Sequence, residues 1–137
     1  MAKEKKIKVL LAQFPLETHS RGLITVAGML RDAGMEVVLM GNARPEQIAK
    51  VAVQESADVI GISTYCGGEL VLGAELLKAA EKEGIKDHTA FVLGGIFPPR
   101  DGPELVKMGF SAVFPPSTPK NEIVGGVKKA VAAKQGH

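Results

Sequence analysis

The chain has 137 residues, a net charge of +2, 45% hydrophobic residues and 23% charged ones, a size and balance that suit one folded domain spanning 1–137 with a core over about residues 7–133. Aromatic residues are 4% and Cys66 is the one cysteine, which excludes a nucleic-acid face built on stacking rings, an internal disulfide and a multi-cysteine metal site. No apolar run reaches the roughly 18 residues of a membrane span, and the charged start, Met1 to Lys6, leads into too few apolar positions for a signal peptide, so a cytoplasmic location is expected.

Short apolar runs alternate with helical patterns along the whole chain. The first strand is predicted over Ile7 to Ala12. Arg21 to Ala33 reads as a helix with Leu23, Val26, Ala27 and Leu30 on one face and Gly34 as its cap. Glu36 to Met40 is the second strand. The second helix opens at Arg44-Pro45-Glu46, with Pro45 near its first position and Ile48, Ala49, Ala52 and Val53 as its buried stripe. Asp58 to Ile62 is the third strand and Leu70 to Glu83 the third helix, ended by Gly84. Thr89 to Leu93, Pro103 to Met108, Ala112 to Phe114 and Glu122 to Ala133 complete the series. Five strand–helix periods predict an α/β fold with a parallel sheet and right-handed crossovers. Strands as apolar as Val59-Ile60-Gly61-Ile62 need cover on both faces. The flavodoxin-like, doubly wound order 2-1-3-4-5 follows for five strands, with ligands expected at the carboxyl ends near the switch point.

Four loops converge there. The first is Gln13-Phe14-Pro15-Leu16-Glu17-Thr18-His19-Ser20-Arg21-Gly22. A neutral imidazole such as that of His19 can ligate a metal or move a proton, and Glu17 two residues earlier can fix its tautomer. The same E-x-H-x-x-G also fits a surface histidine near a helix start. The second loop is Ser63-Thr64-Tyr65-Cys66-Gly67-Gly68, the third Gly94-Gly95-Ile96-Phe97-Pro98-Pro99, the fourth Pro115-Pro116-Ser117-Thr118-Pro119. Small residues at strand ends let a flat ligand approach the backbone. Tight turns at Gly94-Gly95, and capping by Ser63 and Thr64, are the plainer readings of the same residues. Neither G-x-x-x-x-G-K-[ST] nor G-x-G-x-x-G is present.

Taken in order, these motifs resemble the cobalamin-binding domain of coenzyme-B12-dependent acyl-CoA mutases of the methylmalonyl-CoA mutase type. The family pattern D-x-H-x-x-G, S-x-L, G-G is met by Glu17-Thr18-His19-Ser20-Arg21-Gly22, Ser63-Thr64-Tyr65 and Gly94-Gly95, with Thr118 where mutases carry Gly-Thr. The resemblance covers about Ile7 to Val127. It implies that His19 ligates cobalt in place of the cofactor's own dimethylbenzimidazole. It further implies that the displaced nucleotide tail is buried between the loops after the third and fourth strands. Implied cofactor-binding positions are Glu17, Thr18, His19, Ser20, Arg21 and Gly22, then Ser63, Tyr65 and Gly67, then Gly94, Gly95 and Phe97, then Pro115 and Thr118. Three positions depart from the pattern: Glu17 replaces Asp, Gln13 replaces a Lys, and Tyr65 replaces Leu. By the same resemblance the chain is an isomerase small subunit that carries adenosylcobalamin, is inactive alone, and works with a separate large catalytic chain holding acyl-CoA in a (β/α)8 barrel, which this length cannot contain. It would bind neither nucleic acid nor membrane, and the isolated chain is a candidate homo-oligomer. The alternatives are a corrinoid carrier of a methyltransferase, which usually has a helical bundle ahead of this domain, and a diverged domain that binds cobalamin weakly. A phospho-receiver module would need an Asp at the third strand end, where Ser63 stands.

Overall fold

The computed structural model describes residues 6–15, 21–65 and 68–135. Five strands, β1 (Lys8–Gln13), β2 (Glu36–Asn42), β3 (Val59–Thr64), β4 (Ala90–Gly95) and β5 (Ala112–Phe114), alternate with five helices, α1 (Arg21–Asp32), α2 (Pro45–Glu55), α3 (Glu69–Lys82), α4 (Asp101–Met108) and α5 (Lys120–Gln135). The sheet order is β2-β1-β3-β4-β5 and each pairing is parallel, as the strand–helix alternation predicts.

Period-two alternation divides the apolar side chains between two cores. Leu10, Ile60, Ile62, Phe91 and Leu93 pack against α2, α3 and α4 through Ile48, Leu76, Leu77 and Leu105. Val9, Leu11, Val59 and Val92 pack against α1 and α5 through Leu23, Ala27, Leu30, Ile123, Val127 and Val131. Central strands are therefore apolar on both faces, as a doubly covered sheet requires. Gly34 (φ 90°) and Gly84 (φ 78°) take the left-handed conformation just past α1 and α3, where a Cβ would be strained. At the second helix the Gln47 side chain accepts from the Arg44 backbone N–H at 3.0 Å, which satisfies a donor at the helix start.

Two expectations change. Val53 is 43% exposed rather than part of the buried stripe of α2, because Ile48, Ala49 and Ala52 already fill the contact face. The third and fourth strands run two residues further than their apolar runs. Ser63 pairs with Gly94 and Thr64 with Gly95 in the parallel ladder. Backbone hydrogen bonding continues where hydrophobicity stops, so Ser63, Thr64, Gly94 and Gly95 are strand residues rather than loop residues.

Candidate functional site

Alternation places Gly61, Ser63 and Gly94 on the α1/α5 face of the sheet, in line with Leu11 and Val92. Each carries a side chain too small to reach the helices. A slot of about 200 Å³ opens there, floored by Leu11, Gly61, Ser63, Val92 and Gly94. Gly22, Leu23 and Val26 of α1 wall one side, and Ile123 and Val127 of α5 the other. Phe114 and the turn Pro115-Pro116-Ser117-Thr118 close the end toward β5. A void of about 150 Å³ takes one benzene ring, whereas a whole drug-sized ligand needs about 300 Å³ or more. The slot therefore suits one flat ring system of a larger ligand, with the remainder outside the strand ends. Among the described residues no charged side chain lines it, and this lining suits a ring.

The glycines differ in why they are glycine. At Gly61 a Cβ would come 2.7 Å from Leu11 Cδ2 and 3.3 Å from Val92 Cγ2, so its absence leaves room for the two flanking side chains at the slot floor. At Gly94 a Cβ would stand 3.5 Å from the Cβ and carbonyl oxygen of Phe114, an ordinary contact that would fill slot volume. Gly95 has φ 127°, and a Cβ there would overlap the backbone carbonyl oxygen of Thr64. Gly95 is thus required by the backbone itself.

The turn after β5 is built by its own residues. Thr118 N–H donates to the Pro115 carbonyl at 3.3 Å, and the Thr118 hydroxyl donates to the same oxygen. Ser117 has φ 68°, and Pro116 precedes it, the arrangement of a type II turn. Thr118 shapes the rim of the slot by this turn.

On the opposite face, just past β3 and β4, two buried carboxyl groups meet. Glu69 is the first residue of α3 and Asp101 the first of α4; they are 3% and 8% exposed. The Thr64 hydroxyl donates to Glu69 Oε1 at 3.4 Å. Burial pushes the Glu69 carboxyl above its usual range, and a hydrogen bond with Asp101 adds to the rise. The hydrogen bond between the two carboxyl groups links the start of α3 to the start of α4.

Of the sequence-predicted site residues, Gly22, Ser63, Gly94, Gly95, Pro115 and Thr118 are brought together around the slot. Arg21 is exposed at the first residue of α1. Tyr65 is 44% exposed and does not line the slot. Phe97 lies instead in a second, more open groove with Pro99, Val106 and Val113 and packs on the α2/α3/α4 core. Glu17, Thr18, His19, Ser20 and Gly67 lie outside the described residues. Gln13, at the end of β1, is 2% exposed, and its carbonyl accepts from Ala43 N–H at 2.8 Å.

A family model for the B12 binding domain matches residues 7–124. This chain belongs to the B12-binding domain family. It is 36% identical over 129 residues to the small subunit of 2-hydroxyisobutanoyl-CoA mutase of Aquincola tertiaricarbonis, a match covering 93% of this chain and 94% of that one. It is 31% identical to the methylmalonyl-CoA mutase large subunit of Streptomyces virginiae, over 99% of this chain and 19% of that longer one. The matched stretch is thus nearly the whole of the first relative and about a fifth of the second. The fold is shared with the crystal structure of a cobalamin-binding protein from Desulfitobacterium hafniense DCB-2, at a TM-score of 0.79 and 20% identity, over 93% of this chain and 60% of that one.

Sequence reasoning missed Gly61, Phe114 and the Glu69–Asp101 pair in this B12-binding domain. Gly61 carried a readable signal, since a glycine inside an apolar strand marks close approach. Phe114 looked like ordinary strand core. Nothing local could have paired Glu69 with Asp101, which lie 32 positions apart and meet only because β3 and β4 are neighbours.

Proposed function

We propose that this chain is the cobalamin-binding subunit of an adenosylcobalamin-dependent acyl-CoA mutase, completed by a separate large chain that holds the acyl-CoA. The observation that carries the reading is the slot: small residues at three neighbouring floor positions, no charged lining among the described residues, and room for one ring system. These features fit the benzimidazole part of a displaced nucleotide tail. Ser63 supplies the one hydroxyl on the floor, Gly94 leaves the width, and the Pro115–Thr118 turn closes the end. His19, within Glu17-Thr18-His19-Ser20-Arg21-Gly22, is the residue that would hold the cobalt, since imidazole is a good transition-metal ligand. Glu17 would orient it by accepting from its second nitrogen.

When bound, adenosylcobalamin supplies the radical chemistry of a carbon-skeleton rearrangement. The chain's own share is to bind, orient and shield. The slot would hold the tail, and the apolar walls of α1 and α5 would keep water from it. The small-subunit relative is matched almost end to end, which supports a two-chain enzyme in which this chain alone is inactive.

Adding adenosylcobalamin to the purified chain tests the reading. The expected absorption spectrum is that of the base-off, histidine-ligated form, and His19→Ala should remove that signature while circular dichroism stays unchanged. An unaltered spectrum of free cofactor with the wild-type chain would reject it.

A further inference from the structure

Helix α5 contains adjacent glycines, Gly125 and Gly126, in its interior. Interior glycine costs helix stability relative to alanine, and the remainder of α5 uses alanine freely. The two glycines are not equivalent. A Cβ on Gly125 would meet nothing within 4 Å. A Cβ on Gly126 would come 2.7 Å from Cε1 and 2.8 Å from Cζ of Phe114, closer than carbon atoms tolerate. The tip of the Phe114 ring is therefore seated in a notch that only glycine leaves. The base of the same side chain stands 3.5 Å from where a Gly94 Cβ would be. Phe114 thus spans from β4 to α5, and its ring lines the slot. Any atom added at position 126 must push the ring, and the slot is the open space beside it.

We propose that Gly126 is a positioning residue that sets the width of the tail slot by parking the Phe114 ring against α5. The inference rests on the slot taking the nucleotide tail, and it deepens that reading. It makes Phe114 and Gly126 together a specificity element, selecting corrinoids by the bulk of the tail they carry.

Absorbance titration with two probes tests it: cobalamin, and cobinamide, the same corrinoid lacking the nucleotide tail. Gly126→Ala should weaken cobalamin binding by about tenfold or more, as overpacking a tight contact does, and leave cobinamide binding unchanged. Gly125→Ala should change neither. Shortening the ring in Gly126→Ala/Phe114→Leu should restore the preference for cobalamin, and the unchanged cobinamide binding of Gly126→Ala is the readout that a purely structural role would not leave intact. Equal binding of the two corrinoids by the wild type would overturn the tail-slot reading, and this proposal with it. A wild-type preference for cobalamin that survives in Gly126→Ala, or a loss shared equally by cobinamide, would overturn the proposal while leaving the reading intact. Failure of Gly126→Ala to fold, or a double variant without the restored preference, would also overturn the proposal, since Gly126 would then serve the packing of α5 and not the width of the slot.

Discussion

Gly94 and Gly95 are neighbours in β4, yet a side chain at each meets a different obstacle. At Gly94 the added carbon touches Phe114 at an ordinary distance and then grows into the slot. Gly94→Leu should keep the fold and lower cobalamin affinity sharply, read by titration against an unchanged thermal melt. At Gly95 the positive φ and the Thr64 carbonyl obstruct the first carbon. Gly95→Ala should cost well over about 1 kcal/mol in denaturant unfolding, as Ala does where φ is positive, with or without cofactor. Glu69 offers a pH test. Its folded pKa is raised, by burial first and by the bond to Asp101 second. The stabilisation from its protonated form is therefore full below its unfolded pKa and is lost as pH rises through the folded value. Glu69→Gln keeps a neutral donor there. Urea midpoints from about pH 4 to about pH 8 should fall with pH in the wild type and be flatter in the variant; parallel curves would remove Glu69 from the account.

At the scale of elements, α5 gives the cleanest contrast. Gly125 has open space around its missing Cβ, so Gly125→Ala should stabilise by about 0.5–1 kcal/mol, the ordinary helix-interior gain, measured by chemical unfolding. Elements also show how far the sequence could be read. Strand order, parallel pairing and the helix ends at Gly34 and Gly84 follow from apolar period, glycine placement and the crossover rule. Strand ends did not, because hydrophobicity marks burial and the ladder is held by backbone groups that every residue carries. The floor of the slot fell in that gap: Ser63 and Gly94 look like loop residues by type and are strand residues by hydrogen bonding. Of the residues the motifs singled out, Ser63, Gly94 and Thr118 line the slot. Phe97 lies away from the slot, on the turn of chain beyond β4, and Tyr65 follows the last residue of β3, is 44% exposed and does not line the slot.

For the molecule as a whole, no helix among the described residues is long and apolar enough to cross a membrane. The slot end of the sheet is apolar and glycine-rich, whereas Lys8 at the other end lies 3.0 Å from Glu55 and 3.9 Å from Glu36, and its backbone N–H donates to Asp58 at 2.9 Å. Carboxylates thus surround Lys8 at the end remote from the ligand, and raised salt should weaken those exposed pairs while leaving tail binding almost unchanged. Titrations at two ionic strengths, beside melts under the same conditions, would check the separation.

The two rims of the sheet bear on how another polypeptide can approach. On one rim β2 carries an extra residue, Met40, where Leu11 faces Leu39 and Ala12 faces Gly41. Such a bulge twists an edge out of register for a newcomer. On the other rim β5 is three residues long and runs directly into Pro115 and Pro116, which have no N–H to offer. Neither rim can readily template a sixth strand, so concentrated solutions of this chain should resist fibril growth, and any companion chain must engage it through strand-end turns or helix flanks instead of by extending the sheet.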